Sequence, residues 1–171
     1  MYPASITAAL ACLVSAAPIA AQTLGRSAAR TPDSKPRSAE VFVAVLEGAY
    51  AVPPVDTHAT GTAELRWTGT ELQYRVDVDS ISDVTGAFIH IGHVGATAPA
   101  VADLFDGRKA GPVSGLLASG TLRRSALHGT TLHRLVRALR DHDAYVTVHM
   151  LAHPGGELRG RLRIQPVVAS R

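Results

Sequence analysis

The stretch Leu72-Gln73-Tyr74-Arg75-Val76-Asp77-Val78-Asp79 alternates apolar and polar side chains along its whole length. Successive side chains of a β-strand point to opposite faces, so this period of two is typical of a strand with one buried and one wet face. The preceding residues 62–67 alternate in the same way, and Thr68-Gly69-Thr70 joins the two runs. The pattern predicts a β-hairpin.

Four further stretches favour strands. Residues 41–46 are apolar at both parities, as in a strand covered on both sides, whereas residues 85–92, 145–151 and 158–164 alternate. Between them, residues 131–142 carry apolar side chains at spacings of three and four, which predicts a short amphipathic helix. The expected fold is all-β: an antiparallel β-sandwich or flattened barrel of about seven to eight strands, with one helix near 131–142.

Length and composition agree with one such domain. The chain has 171 residues, of which 46% are hydrophobic and 18% charged, with 15 Gly and 10 Pro. It is too apolar for disorder and too rich in turn-forming residues for a helical bundle. The formal net charge of +3 is small and evenly spread along the chain, which argues against a nucleic-acid partner.

The amino terminus predicts export. Residues 1–21 lack charged side chains, are dominated by small apolar residues and end in Ala20-Ala21, as a signal peptide does. A retained membrane anchor and lipidation at Cys12 are the alternatives. Cleavage after Ala21 leaves no cysteine and no stable membrane span, and it places the protein outside the cytoplasm, in the periplasm or secreted.

The remaining chain divides into three parts. Residues 22–40 carry basic side chains with few large apolar ones, so they are expected to form a flexible basic linker. The β domain is expected at 41–166, and residues 167–171 form a short tail.

Several motifs of this domain resemble the chordin-type, or CHRD, domain, which occurs repeated in chordin and as a single exported domain in many bacteria. The matching segments are Leu46-Glu47-Gly48-Ala49, Val52-Pro53-Pro54-Val55, Ala59-Thr60-Gly61-Thr62-Ala63, Ile89-His90-Ile91-Gly92, Asp103-Leu104-Phe105-Asp106-Gly107, Tyr145-Val146-Thr147-Val148-His149 and His153-Pro154-Gly155-Gly156-Glu157-Leu158-Arg159-Gly160-Arg161-Leu162. Two departures stand out: Tyr50-Ala51 replaces Asn-Glu before the prolines, and Phe88 replaces the first histidine of His-Ile-His.

The resemblance implies an exported β-sandwich whose role in bacteria is largely unassigned; in chordin the domain accompanies modules that bind growth factors. The chain also lacks the common catalytic signatures, such as Gly-x-Ser-x-Gly and His-Glu-x-x-His. We therefore expect a non-enzymatic module with a structural or binding role, whose partner is an extracytoplasmic protein or a small ligand.

The alternative is a histidine-based metal site without any other cofactor. His90 and His149 lie on the parity opposite their strands' aliphatic residues, and His153 and Glu157 follow closely. Such side chains bind zinc or copper. The strand histidine motif and the Gly-rich loop loosely resemble copper-zinc superoxide dismutase, which makes a redox metalloenzyme the minor alternative, although Phe88 leaves a copper site of that kind incomplete. The competing interpretation is that these histidines are hydrogen-bonded structural residues that tie loops to the sandwich.

A second set of residues is expected to shape the fold. Pro154-Gly155-Gly156 predicts a tight hairpin turn, and Glu157 and Arg159 share a parity from which they could pair. The full set of structural motif residues is Pro53, Pro54, Gly61, Pro154, Gly155, Gly156, Glu157, Arg159 and Gly160.

Overall fold

The computed structural model describes residues 39–93 and 95–166, and within them it is mostly β-structure. The predicted signal peptide, nearly all of the linker, Cys12 and the tail lie outside the described residues. The strands are β1 (Glu40–Glu47), β2 (Thr60–Trp67), β3 (Leu72–Ile91), β4 (Ala100–Thr121), β5 (Ala144–Met150), β6 (Leu158–Arg161) and β7 (Arg163–Gln165); the helix α1 spans Leu132–Arg140, and 3-10 turns cover Gly48–Tyr50 and Arg124–Ala126.

All strand pairs are antiparallel, and five strands close on themselves. Around this ring the hydrogen-bonded strands follow the order β2, β1, β6, β5 and β3, and β3 pairs with β2 to complete it. Outside the ring, β4 pairs with β3 along most of its length, and β7 pairs with the first half of β1. The predicted antiparallel all-β fold with one helix is confirmed.

Strand β3 completes the ring because it bends. Its first part, up to Asp79, pairs with β2, and its last part, from Val84, pairs with β5. Between them Ser80 and Asp83 adopt φ of 55° and 52°, and the register with β4 shifts on both sides of this segment. Such bulges bend a strand and increase its twist. The prediction of separate strands at 72–79 and 85–92 is therefore wrong.

Two other boundaries also differ from the sequence prediction. The expected strand at 158–164 divides at Leu162 into β6 and β7, and residues 100–121, where no strand was predicted, form β4. The helix is shorter than expected at both ends. At its start Thr131 lies in an extended conformation and its hydroxyl caps the Arg134 amide; at its end Asp141 is the C-cap and His142 adopts φ of 60°.

The ring encloses one apolar cluster. Alternate residues of β1 and β2, such as Phe42, Leu46 and Leu65, are fully buried in it, as the period of two requires. The helix adds Leu135, Val136 and Leu139 to the same cluster. Its last residue, Arg140, forms a bidentate ion pair with Glu40 at 2.7 Å, which fixes the helix to the start of β1.

Two glycines of the expected structural set lie where strands approach closely. A Cβ on Gly160 would overlap the Val45 carbonyl oxygen of β1, and a Cβ on Gly61 would lie 2.9 Å from the Asp77 carbonyl oxygen. Both contacts are with backbone, which cannot rotate away. Glycine is therefore required here by space.

Candidate functional site

A polar cluster covers the outer face of β3, β5 and β6, opposite the apolar core. It consists of His90, Tyr145, Thr147, His149 and Arg159. Because side chains alternate along a strand, these residues point away from the apolar core, toward the surface of the sheet. Nevertheless His90, Thr147 and Arg159 are only 6–7% exposed to solvent. They are buried because residues 95–99, which follow β3, lie over this face and are held by three of these side chains.

Three of the cluster's side chains form one hydrogen-bonded chain. His90 Nδ1 lies 2.7 Å from the Ala98 carbonyl oxygen, and its Nε2 lies 2.9 Å from Thr147 Oγ1. The same hydroxyl oxygen lies 2.9 Å from His149 Nε2. A carbonyl only accepts, so Nδ1 of His90 carries the hydrogen; in the neutral ring Nε2 then accepts from Thr147, whose oxygen accepts from His149 Nε2.

Burial favours the neutral form of both imidazoles by lowering their pKa values. It is the main cause that lowers the pKa of His90, the Arg159 guanidinium lowers it further, and the carbonyls of Ala98 and Pro99 oppose the change. Burial also lowers the pKa of His149, followed by the proximity of His90, against the opposing effect of the Pro154 backbone. A protonated His90 could not accept from Thr147, so the chain requires the neutral form.

Tyr145 is the packing centre of the cluster. Its ring stacks on His90 with centroids 4.8 Å apart, and the Arg159 guanidinium carbon lies 3.8 Å from its centroid. Its hydroxyl accepts from the Ala98 amide at 3.0 Å, while Arg159 Nη2 donates to the Ala96 carbonyl at 2.8 Å. The cluster thereby fixes the backbone of residues 96 and 98.

Glu157 and Arg159 do not pair with each other, contrary to the expectation. Glu157 is 3% exposed, and its Oε1 accepts from the Thr57 hydroxyl at 2.5 Å, while no described residue hydrogen-bonds its Oε2. Arg159 points instead toward Tyr145 and Ala96. Glu157 therefore joins the β5–β6 connection to the loop between β1 and β2.

The Pro154-Gly155-Gly156 segment forms a turn, but it does not join β5 and β6 directly. Met150 and His153 exchange backbone hydrogen bonds around Leu151-Ala152, and the Gly156 amide then donates to the His153 carbonyl. Gly156 has a φ of +106° and lies against the His149 ring. The predicted hairpin exists, with this second turn inserted into it. Pro53 and Pro54 lie exposed in the loop between β1 and β2.

The four candidate metal ligands only partly converge. The Nε2 atoms of His90 and His149 face the same hydroxyl oxygen and so lie within about 6 Å of each other. Glu157 is engaged by Thr57, and His153 contributes backbone hydrogen bonds to its turn. Across residues 39–93 and 95–166, no group of three or more His, Cys, Asp or Glu side chains is placed to hold a metal ion.

Beside the polar cluster lies an open cleft of about 530 Å³. We call it the β1 cleft; it is lined by Val43, Val45, Ala49, Tyr50, Ala51, Val52, Gly95, Tyr145, Arg159, Arg161 and Arg163. Tyr145 and Arg159 belong to both features, so the buried cluster supports one wall of the cleft.

Sequence reasoning missed Thr147, Tyr145, Thr57 and the β1 cleft. The parity of Tyr145 and Thr147 with His149 was a usable signal, because it places all three on one face of β5. The alternation of Arg159, Arg161 and Arg163 was a second one. Thr57 gives no local signal, since Glu157 is 100 positions away.

Comparison with protein-family models agrees with the motifs. The model described as the CHRD domain matches residues 42–162, which include the ring, the polar cluster and most of the β1 cleft. No curated protein and no solved structure shows significant similarity to the chain. The predicted resemblance is confirmed, and the chain belongs to the CHRD domain family.

Proposed function

We propose that this protein is an exported, non-enzymatic module that binds a small ligand or a partner segment in the β1 cleft. The observation that carries the proposal is the cleft itself, an open concavity with exposed apolar side chains on β1 and on the turn and loop that follow it. Its volume falls within the range of about 300–1,000 Å³ that is usual for ligand sites. The described polar side chains beside the cleft form hydrogen bonds to one another and to the backbone of residues 96 and 98. These bonds suit a role in supporting the cleft rather than in catalysis.

Binding in the cleft is tested by ¹H–¹⁵N NMR of the purified protein with a panel of uncharged, cationic and anionic small organic fragments. We expect amide shifts to cluster at Val43, Val45, Gly95 and Arg163. In the matched variant Val45→Asn these shifts should weaken, whereas Val41→Asn, on the same strand outside the cleft, should leave them intact. Shifts that are absent, or that cluster elsewhere, would overturn the proposal.

Export is a separate part of the proposal and rests on residues 1–21 and on the family. The full chain is expressed in a bacterial host, cells are fractionated, and the protein is examined by mass spectrometry. We expect a chain that begins near Gln22 outside the cytoplasm, and retention inside when Leu10 and Leu13 are changed to Arg. An intact Met1 on cytoplasmic protein would contradict export, and a lipid on Cys12 would show membrane attachment instead.

No helix among the described residues is long and apolar enough to span a membrane.

The second candidate, zinc or copper binding, is favoured by one observation: His90 and His149 direct their Nε2 atoms at a common point. Thr147 occupies that point, however, and we favour the structural interpretation. Titration with Zn²⁺ or Cu²⁺ during thermal unfolding separates the two. We expect no saturable rise in Tm; a rise abolished by His149→Ala would establish the metal site.

A further inference from the structure

Apolar exposure is concentrated in the β1 cleft. The large exposed hydrophobic side chains of the described residues are Val45, Tyr50, Val52, Leu116, Leu151 and Ile164. Three of these six line the cleft, where Val45 is 56%, Tyr50 57% and Val52 40% exposed. One wall of the cleft therefore offers several exposed apolar side chains, which favours a ligand with an apolar body.

Cationic side chains lie beside this apolar surface, on β6 and β7, which pair with β1 in the same sheet. Arg163 is the register partner of Val43, and Arg159 is that of Glu47, with which it forms no ion pair. Arg161 donates to the carbonyls of His142 and Gly92, and Arg159 to that of Ala96. Arg163 is exposed on β7, and its side chain has no hydrogen bond or ion pair to another described residue. The cleft lining contains no Asp or Glu among the described residues.

Outside the cleft, three arginines pair with carboxylates, whereas others, such as Arg66, Arg123 and Arg134, form no ion pair with a described residue. Arg75 pairs with Asp77 at 2.6 Å, Arg140 with Glu40 at 2.7 Å and Arg137 with Asp141 at 3.8 Å. The three cleft arginines thus keep a net positive charge beside the apolar wall. Guanidinium groups bind carboxylate and phosphate through paired N–H donors, so this charge complements an anionic head group.

We propose that the β1 cleft binds a small amphipathic anion, with the acidic group at Arg161 and Arg163 and the apolar chain over Val43, Val45, Tyr50 and Val52. This inference rests on the proposed binding function and names the ligand class for it. A long acidic peptide would extend beyond a cleft of about 530 Å³, whereas a chain of about eight carbons with one head group fits inside it.

The test compares four probes that share a chain: octanoate, octyl phosphate, octanol and octylammonium. Binding is followed by ¹H–¹⁵N NMR titration of the purified protein, below the concentration at which the probes aggregate. We expect both anions to bind at least tenfold more tightly than octanol, and octylammonium most weakly. The two anionic arms identify whether a carboxylate or a phosphate head is preferred.

Two variants locate the charge. Arg163→Ala should weaken octanoate binding about tenfold and leave octanol unchanged, because Arg163 supports no other described residue. Arg66→Ala, which removes an exposed arginine from β2 outside the cleft, should leave both unchanged.

The outcomes distinguish this inference from the function on which it rests. If octanol binds in the cleft as tightly as octanoate, or if Arg163→Ala has no effect on octanoate, the ligand class is wrong and the binding function stands. If octylammonium binds most tightly, the ligand class is again wrong. If neither these probes nor the wider fragment panel shifts the cleft amides, both fail.

Discussion

At the scale of single residues, the space around a glycine predicts which substitutions the domain tolerates. Gly160→Ala would place a Cβ against the Val45 carbonyl and 2.8 Å from Leu46 Cδ2, so β6 and β1 would have to separate. We expect a loss of about 3 kcal/mol or more in the free energy of unfolding, measured by urea denaturation. Gly155→Ala is the matched control, because no atom lies within 4 Å of its Cβ position; it should change stability by less than about 1 kcal/mol. Similar losses for both would contradict the close approach of β6 and β1.

Thr147 is the residue on which the polar cluster depends. Thr147→Val keeps the shape of the side chain but leaves His90 Nε2 without a donor and His149 Nε2 without an acceptor. Because His90 is buried and His149 half-buried, we expect a loss of about 1–3 kcal/mol in the free energy of unfolding. Thr62→Val, at an exposed position of β2, should change it by less than about 0.5 kcal/mol. Equal effects would mean that the hydrogen-bonded chain adds nothing to stability.

At the scale of elements, sequence patterns located three strands closely. Strands β1, β2 and β5 lie within two residues of their predicted positions; alternation marked β2 and β5, whereas a run of apolar residues at both parities marked β1. The prediction that β1 is covered on both sides is wrong, because its outward-facing Val45 is 56% exposed. Strand β4 escaped prediction because Gly107, Gly111, Pro112, Gly115 and Gly120 interrupt its pattern. These residues suit an edge strand: apart from the bridge between Ala102 and Leu127, no described strand pairs with its outer edge, and Gly and Pro discourage association there.

The candidate site was predicted less completely than the fold. Alternation correctly placed His90 and His149 on the outer face of their strands, but it cannot show that residues 95–99 cover that face. The pairing expected for Glu157 and Arg159 failed for the same reason: their partners, Thr57 and Ala96, are far away in the sequence. Long-range contacts decide the environment of a side chain, and one sequence does not reveal them.

Helix α1 gives a prediction at this scale. The Thr131 hydroxyl accepts from the Arg134 amide at 3.3 Å, which satisfies one of the free amides of the first turn. Thr131→Ala should lower the free energy of unfolding by about 1 kcal/mol, and Thr131→Ser should restore most of it. The measurement is chemical denaturation followed by far-UV circular dichroism. If the alanine and serine variants were equally stable, Thr131 would not cap the helix.

At the scale of the whole molecule, the domain has two layers with different responses to pH. The apolar cluster inside the ring contains no titratable side chain among the described residues, whereas the outer polar layer contains His90 and His149. Burial lowers the pKa of both imidazoles, so folding opposes their protonation. The outer layer therefore links the stability of the domain to mild acid.

The sign of this linkage follows from the two states. Above about pH 6.5 both imidazoles are neutral in the folded and the unfolded chain, and their contribution to stability is complete. As the pH falls through 6.5 the unfolded chain takes up protons first, so the free energy of unfolding decreases until the folded pKa values are reached. Each histidine contributes a slope of at most about 1.4 kcal/mol per pH unit. Hydrogen bonds lower the pKa values of Asp79 and Asp83. Protonation of these carboxylates therefore reduces the free energy of unfolding only below about pH 4, outside the pH range in which the histidines act.

Urea denaturation between pH 4.5 and 8 measures this slope directly. His149→Gln should reduce it, since Gln cannot take up a proton, whatever its effect on stability at pH 8. Thr62→Val, which changes no titratable group, should leave the slope as it is. A stability that stays constant down to pH 5 would show that the two imidazoles are protonated as easily in the folded domain as in the unfolded chain. In that case neither the burial of the outer layer nor the direction assigned to its hydrogen bonds would hold.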